Sequence, residues 1–215
     1  MTDARRLIIA IDGPSGAGKS TVARALAKRL DLDYLDTGAM YRGVAFAVLR
    51  RGLDPSEDSA VARVANDVEL EVSDKGVSVD GVDASIEIRG PEVTRAASVV
   101  AANPDVRAEM RRRQRAWAES RGGGVIEGRD IGSVVFPDAE LKVYLTADPE
   151  VRAQRRHKEV SDLRYEEVAA SIAERDARDE GRTHGPLVES EDAVTLDTTG
   201  RTIDDVVAEI VEMLT

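Results

Sequence analysis

A glycine-rich segment near the start of the chain has the residue types and the spacing of a phosphate-binding loop. Glycines let the backbone curl so that several N–H groups point at one anion, and the N-terminus of a following helix adds the positive end of its dipole. Lys19 would reach the β- and γ-phosphates of a nucleotide, and the hydroxyl of Ser20 would ligate Mg²⁺. The pattern predicts binding of a nucleoside triphosphate, but switches, motors and small kinases share it, so it names no reaction. The segment consists of Gly13, Pro14, Ser15, Gly16, Ala17, Gly18, Lys19 and Ser20.

The segments on either side of this loop are expected to be a strand and a helix. Residues Leu7 to Ile11 are all apolar and end at a turn, which is typical of a buried strand. Apolar residues recur at helical spacing from Lys19 to Leu30, which predicts a helix. Strands separated by helices form βαβ units, so we expect a parallel, doubly wound α/β sheet. The other predicted strands of this sheet lie at Val125-Ile126, Leu141–Leu145 and Val194–Leu196.

One segment, Val68 to Arg89, departs from this alternation and predicts a small antiparallel insertion. Its apolar and polar residues alternate, and short turn-forming stretches interrupt them. The residues alone leave two interpretations equally open, a meander without function and a surface that faces the substrate. The expected strands are Val68–Val72, Gly76–Val79 and Ala84–Ile88.

The composition excludes several classes of protein. The 215 residues carry a formal charge of −11, which repels nucleic acids and anionic lipids. No apolar stretch approaches the roughly 18 residues that span a bilayer, and the N-terminal residues are charged where a signal peptide would be apolar. The chain has no cysteine and two histidines, which excludes disulfides, thiolate nucleophiles and metal clusters rich in Cys or His. We therefore expect a cytoplasmic protein with no nucleic-acid or membrane partner, and a monomer, because no apolar patch is evident.

Clusters of arginine, each of which alone is more typical of a solvated helix face, together with the phosphate loop indicate binding of a small anionic acceptor. A kinase acting on a phosphorylated acceptor must neutralise both phosphates, and the planar guanidinium group grips phosphate oxygens with two N–H groups. Arg129 and Asp130 follow a predicted strand, where ligands of open α/β sheets bind; the structural alternative is Asp130 as a helix N-cap. The basic run on a helix expected over Asp105–Glu119 is interpreted as a solvated face, with Arg107 excepted. The remaining clusters are Arg152, Arg155 and Arg156 on one predicted helix, and Arg175, Arg178 and Arg182 with Asp179 on another.

The guanine-reading motif of a GTPase is missing from the sequence. The only asparagines, Asn66 and Asn103, are followed by Asp and Pro rather than by the Lys-x-Asp that such a motif requires. Asp197–Gly200 fits a loose switch pattern, but it comes after the last predicted strand and is interpreted as a plain turn. Two alternatives remain open at this point: a kinase of another small acceptor such as UMP, and a P-loop ATPase or binding module.

Four motifs together resemble those of bacterial cytidylate kinases, which are nucleoside monophosphate kinases. They are Ile11–Thr21, Leu35–Arg42, Gly128–Pro137 and Glu174–Asp179. The resemblance implies one P-loop kinase domain over residues 1–215, with a five-stranded parallel sheet flanked by helices. It also implies an acceptor-binding region over residues 37–121 and a short helical lid over residues 150–162. The antiparallel segment 68–89 lies where the bacterial enzymes carry an insertion, which favours a substrate-facing role.

The resemblance also implies a reaction, the transfer of the γ-phosphoryl group of ATP to CMP or dCMP with Mg²⁺ held by Ser20. Arg42 and Arg129 would bind the acceptor phosphate, and closure over both nucleotides would exclude water. The acceptor phosphate is already ionised at neutral pH, so no general base is required.

The residues expected to act fall into three overlapping sets. The ATP set is the loop from Gly13 to Ser20 together with Thr21. The acceptor set comprises Asp36, Thr37, Arg42, Ser98, Arg107, Arg129, Asp130, Arg175, Asp179 and Arg182; in it, Ser98, Arg107 and Asp130 would read the base, while Asp179 and Arg182 would contact sugar and phosphate. The catalytic set comprises Lys19, Arg129, Arg155, Arg156 and Arg182, with Arg155 and Arg156 closing over the ATP phosphates.

Overall fold

A computed structural model describes residues 7–73, 76–159 and 164–214 of the chain. The backbone divides into two compact units: one comprises Met1–Tyr34 with Arg121–Thr215, and the other comprises Leu35–Ser120. In the described part of the chain, no helix has the length and apolar character needed to cross a membrane.

Helices and strands alternate along most of the chain. In chain order they are β1 (Leu7–Asp12), α1 (Lys19–Leu30), β2 (Tyr34–Asp36), α2 (Thr37–Arg50), α3 (Asp58–Asp67), β3 (Leu70–Ser73), β4 (Gly76–Val79), β5 (Val82–Asp83), α4 (Pro91–Val100), α5 (Pro104–Arg121), β6 (Gly123–Glu127), β7 (Leu141–Thr146), α6 (Pro149–Glu159), α7 (Tyr165–Glu180), β8 (Val194–Asp197) and α8 (Ile203–Glu212). A 3₁₀ turn over Glu87–Arg89 precedes α4, and a π-helical turn over Ile131–Val135 follows β6.

The larger sheet has the strand order β2-β6-β1-β7-β8 and is parallel. Strand β1 pairs with both β6 and β7, and its register places Ile11 opposite both Glu127 and Val143. The carboxyl ends of β1, β6 and β7 are therefore neighbours, and the segments that leave them start side by side. This edge of the sheet is where ligands of open α/β folds bind.

The core of the first unit consists mainly of aliphatic side chains. Ile9 and Ile11 of β1 are fully buried against Leu26 of α1 and Ile210 of α8. This packing agrees with the low aromatic content, 3% of the chain. The predicted parallel α/β sheet is confirmed, and the helix predicted over Lys19–Leu30 has those bounds.

The second unit contains α2 to α5 and the antiparallel sheet β3-β4-β5. Asp80 and Gly81 both have positive φ (50° and 73°), which makes a two-residue turn between β4 and β5. The prediction of an antiparallel insertion is confirmed, but the strand predicted over Ala84–Ile88 is wrong. The third strand is Val82–Asp83, and the chain then turns, because the hydroxyl of Ser85 donates to Asp83 and accepts the N–H of Val77 in place of a ladder bond.

The basic run on α5 is only partly a solvated face. Arg113 donates to the backbone carbonyls of Ala65, Asn66 and Val68 at the C-terminal end of α3, and it pairs with Glu109. Helix C-termini present unpaired carbonyls that a cation satisfies. The interpretation of Arg113 as solvated is therefore wrong, since it joins α5 to α3.

Candidate active site

The glycine-rich loop lies between β1 and α1, as the motif requires. Gly16 has a φ of +77°, and a Cβ atom there would lie 2.6 Å from the carbonyl oxygen of Arg152 on α6. Gly18 also has a left-handed conformation and precedes the first residue of α1. Glycine is needed at position 16 for two reasons, the backbone conformation and the close approach of α6.

Lys19 is buried at the first position of α1. Its amine donates to the carbonyl oxygen of Pro14 at 2.7 Å. Burial and the neighbouring charge of Arg129 together lower the pKa of this amine to about 7, although Glu127 favours the charged form. Glu127 is the buried last residue of β6 and accepts a hydrogen bond from the hydroxyl of Tyr34.

Ser15, at the centre of the loop, is held through three different groups. Its N–H donates to Oδ1 of Asp176 on α7 at 3.0 Å. Its carbonyl oxygen accepts from Arg152 at 3.0 Å, and its hydroxyl oxygen accepts from Arg129 at 2.7 Å. Arg152 also pairs with Oδ2 of Asp176. The loop is therefore bound by three side chains, of which one follows β6, one lies on α6 and one lies on α7.

Arg129 connects the loop to a buried carboxylate. One terminal nitrogen donates to the carbonyl oxygen of Gly13 at 2.9 Å, and Nε donates to Asp179 at 2.8 Å. Asp179 is only 1% exposed and also pairs with Arg182, which lies just beyond α7. Burial opposes the negative charge of Asp179, but Arg129, Arg182 and Arg175 outweigh it and lower the pKa of this carboxyl group. The structure thus brings Arg129, Arg175, Asp179 and Arg182 together with Lys19.

A second carboxylate orders the turn that comes after Arg129. Asp12, the last residue of β1, accepts the N–H groups of Ile131 at 2.9 Å and Gly132 at 2.8 Å. Burial raises the pKa of Asp12 to about 6 against the opposing effect of the two N–H groups, and the charge of Asp130 contributes to the increase. Asp130 occupies the N-cap position, but its side chain makes no capping hydrogen bond. Asp130 therefore has the N-cap position that the structural alternative expects, but the side chain that accepts the N–H groups of this turn is that of Asp12.

The arginines of the expected lid have separate partners. Arg155 donates to the hydroxyl and the carbonyl oxygen of Thr198, both at 2.8 Å, and Thr198 itself donates to the carbonyl oxygen of Ala17 in the loop. Arg156 pairs with Glu159 at 2.7 Å on the surface of α6. Residues 160–162 of the expected lid lie outside the described residues.

Three residues at this site were missed by the sequence interpretation. Thr198 was assigned to a plain turn, yet it is buried and contacts the loop. The feature of the sequence that could have identified Thr198 is its position directly after a parallel strand, where the ligands of open α/β sheets bind. Asp12 ends a strand in the same way, and Asp176 lies three residues before Asp179, on the same face of α7.

Within the second unit, most of the predicted acceptor residues lie at or against the start of α2. Asp36 caps α2 by accepting the N–H of Ala39 at 2.8 Å, and it pairs with Arg42 at 2.9 Å. Nε of Arg42 is buried and has no hydrogen-bond partner among the described residues. Arg107 lies over the ring of Tyr41, 5.7 Å from its centroid, and donates to a backbone carbonyl. Thr37 and Ser98 are both buried, on α2 and α4 respectively.

A parallel sheet, a Gly-Lys-Ser loop at the end of its central strand and arginines bound against that loop define a P-loop kinase. The chain belongs to the cytidylate kinase family, whose model matches residues 9–215.

Similar proteins agree with this assignment over nearly the whole chain. A cytidylate kinase of Corynebacterium efficiens is 47% identical over 215 residues, which cover 96% of this chain and 94% of the relative. A cytidylate kinase of Pelotomaculum thermopropionicum is 48% identical over 212 residues, covering 94% and 93%. A gluconokinase structure from Sinorhizobium meliloti has a TM-score of 0.51 at 14% identity, covering 98% of this chain and 96% of that one, and so shares the fold alone.

Proposed function

We propose that the protein transfers the γ-phosphoryl group of ATP to the phosphate of CMP or dCMP, giving ADP and CDP or dCDP. The family and the curated relatives support a cytidylate kinase. The observation that carries the proposal is the position of Arg129, whose guanidinium group binds Gly13 and Ser15 of the phosphate loop. A cation expected to hold the acceptor phosphate is thus attached to the loop expected to hold the donor.

The reaction needs charge neutralisation and positioning more than proton transfer. The acceptor phosphate already carries an ionised oxygen, so it can attack the γ-phosphorus while ADP leaves. Arg129 and Arg182 would neutralise the transferring group, both oriented by Asp179. Lys19 would neutralise the donor phosphates, and the backbone N–H groups of the loop would bind their oxygens.

Mg²⁺ fits the donors that this site offers. The described residues contain no cluster of three or more acidic or His side chains that could hold a metal by themselves. Mg²⁺ prefers oxygen ligands and takes several from substrate phosphates and water, so one protein hydroxyl suffices. Ser20, next to Lys19, is the residue that would hold it, and the ion would neutralise charge on the β- and γ-phosphates.

The acceptor residues are assigned by chemistry and burial. Arg42 carries a buried N–H group suited to an oxyanion, and we assign Arg42 and Arg129 to the phosphate of CMP. Ser98, Arg107 and Asp130 are assigned to the cytosine edge, because a buried hydroxyl, guanidinium or carboxylate discriminates bases by hydrogen bonding. The remaining acceptor assignments are Asp36, Thr37, Arg175, Asp179 and Arg182. For ATP they are the loop from Gly13 to Ser20 with Thr21, and Arg155 and Arg156.

We also propose that segment 68–89 belongs to the acceptor-binding region over residues 37–121 and that residues 150–162, the first ten of which lie on α6, act as the lid. The protein is proposed to be a cytoplasmic monomer, which its lack of cysteine and its dispersed exposed apolar residues support.

A coupled assay of ADP release tests the function directly. With ATP and Mg²⁺, CMP and dCMP should be phosphorylated strongly, whereas UMP, AMP and GMP should give little activity. ADP release without an acceptor should be slow, because the proposed kinase needs its acceptor. A P-loop ATPase, in contrast, would release ADP without one. Equal or greater activity with UMP would reject the base assignments, and rapid acceptor-independent release would reject the kinase.

A further inference from the structure

Asp176 makes contacts that the proposed phosphoryl transfer leaves unused. We propose that Asp176 is a positioning residue, which fixes the shape of the phosphate loop through Ser15 and joins that loop to α6 through Arg152. The inference rests on the proposed function and deepens it, because it concerns how ATP is bound.

The two oxygens of Asp176 have different tasks. Oδ1 accepts the backbone N–H of Ser15 at 3.0 Å, and Oδ2 pairs with Arg152. Arg152 in turn donates to the carbonyl oxygen of Ser15 at 3.0 Å. One peptide segment of the loop is therefore bound at its N–H and at its carbonyl by an ion pair between α7 and α6.

The two carboxylates on this face of α7 bind different partners. Asp179 pairs with Arg129 and Arg182, the cations assigned to the acceptor. Asp176, one turn earlier, binds the donor loop and is also buried. Asp176 therefore supports ATP binding through the shape of the loop.

Removing Asp176 has a definite physical consequence. A buried backbone N–H group would lose its acceptor, and the guanidinium group of Arg152 would lose its counter-ion. The loop would then occupy its binding conformation for a smaller fraction of the time, and the apparent ATP affinity would fall by that fraction. The residues assigned to CMP do not include Asp176, so the recognition of CMP should change little.

The test compares Asp176→Ala with Asp176→Asn, since the Asn amide oxygen can still accept the N–H of Ser15 but its amide group cannot pair with Arg152. The Kd of ATP with Mg²⁺ is measured by calorimetry, together with kcat and the KM of CMP. Asp176→Ala should raise the Kd of ATP about tenfold or more, and Asp176→Asn by less, while the KM of CMP stays within about threefold. Arg152→Gln should also raise the Kd of ATP, and combining it with Asp176→Ala should give less than the product of the two effects.

The matched control is Glu174→Gln, which removes one negative charge from α7 at an exposed position paired with Arg178. It should leave every constant within about twofold. An unchanged Kd of ATP in Asp176→Ala, with only a lower melting temperature, would overturn the proposal. If Asp176→Ala fails to fold, the Asp176→Asn and Arg152→Gln variants test the proposal instead. Unchanged ATP affinity in both of these variants would also overturn the proposal. ATP binding is measured without acceptor, so a wild-type protein that binds ATP but does not phosphorylate CMP would reject the proposed function and leave this test valid.

Discussion

Arg129 binds three different partners with a single guanidinium group. Its terminal nitrogens donate to Gly13 and Ser15 of the phosphate loop, and its Nε donates to Asp179. A planar fork with donors on several edges allows this, whereas a lysine amine could not span the same partners. Burial lowers the pKa of Arg129 but Asp179 outweighs it, so the pKa is raised and the group stays charged.

Arg129→Ala should lower kcat by about 10³-fold or more, because the charge on the transferring phosphoryl group loses its main cation. The Kd of ATP should change by less than about tenfold, since Lys19 and the loop N–H groups remain. Steady-state kinetics and calorimetry measure the two quantities. The control is Arg178→Ala, which should keep normal turnover, because Arg178 belongs to the predicted arginine cluster but is exposed on α7 and pairs with Glu174 instead of with the buried carboxylates. Normal turnover in Arg129→Ala would contradict the assignment.

Lys19 should change its protonation when ATP binds. Burial lowers the pKa of its amine to about 7, so the amine is largely neutral at about pH 8 and charged at about pH 6. A bound phosphate favours the charged form, so ATP binding with saturating Mg²⁺ should take up close to one proton at about pH 8 and little at about pH 6. Calorimetry in buffers of different ionisation enthalpy measures this uptake, and its absence at the higher pH would contradict the shifted pKa.

At the scale of elements, the site depends on the segments that leave the carboxyl ends of the parallel strands. The loop follows β1, Arg129 and the π-helical turn follow β6, α6 follows β7, and Thr198 follows β8. Cross-links between these segments then fix them, such as the two N–H groups that Asp12 accepts from the turn. The strands determine where the segments start, and the cross-links determine where their side chains lie.

The pH dependence of stability should report the environment of Asp12. Its folded-state pKa of about 6 lies above the ordinary value of 3.8, so its contribution to stability is present at low pH and is lost as the pH rises through about 6. Asp12→Asn removes this titration. Between about pH 5.5 and 7.5 the wild type should therefore lose about 1 kcal/mol relative to Asp12→Asn, measured by urea unfolding. A difference that is constant with pH, or that changes in the opposite direction, would contradict the raised pKa.

The close approach of α6 to the loop predicts a specific effect at Gly16. Alanine there meets a left-handed φ and the carbonyl oxygen of Arg152, so Gly16→Ala should destabilise the fold and weaken ATP binding. Gly122→Ala is the matched control, because Gly122 has a φ of +71° but no neighbour within 4 Å of its added Cβ. The control should cost about 1 kcal/mol, and Gly16→Ala about 2 kcal/mol more. Equal unfolding free energies for the two variants would show that α6 does not constrain the loop.

At the scale of the whole molecule, net charge and local charge act differently. The formal charge of −11 disfavours polyanions as partners. A small anion instead meets the cations close to the loop, which are Lys19, Arg129, Arg152 and Arg175, next to the carboxylates that pair with them. A negative chain can therefore bind nucleotides and still repel nucleic acids.

We expect the proposed monomer to be tested most directly by the mass of the protein in solution. Only six large apolar side chains are exposed among the described residues, three in each unit, whereas stable homodimers bury an apolar core. Light scattering should give the mass of one 215-residue chain. A concentration-independent dimer would contradict this expectation.

Local patterns were sufficient for much of the fold and for the phosphate loop. The loop, α1 and the parallel strands follow from short-range spacing, and Arg129 follows from its place after a strand. The third strand of the insertion was misplaced because a side chain, Ser85, took over hydrogen bonds that a backbone ladder would have made. Arg113 was misjudged for a similar reason, since the end of α3 that it binds lies more than 40 residues away in sequence.

The sequence by itself determined the nucleotide loop, the strand and helix alternation and the residue types available for phosphate binding, because these depend on neighbours within a few residues. Only the tertiary structure decided which carboxylate pairs with which cation. Asp176 and Asp179 are three residues apart on one helix, yet one binds the phosphate loop with Arg152 and the other binds Arg129 and Arg182. Apart from the local pair of Asp179 and Arg182, that division depends on contacts between residues 24 to 161 positions apart, which burial and pairing of opposite charges select and which no local pattern encodes.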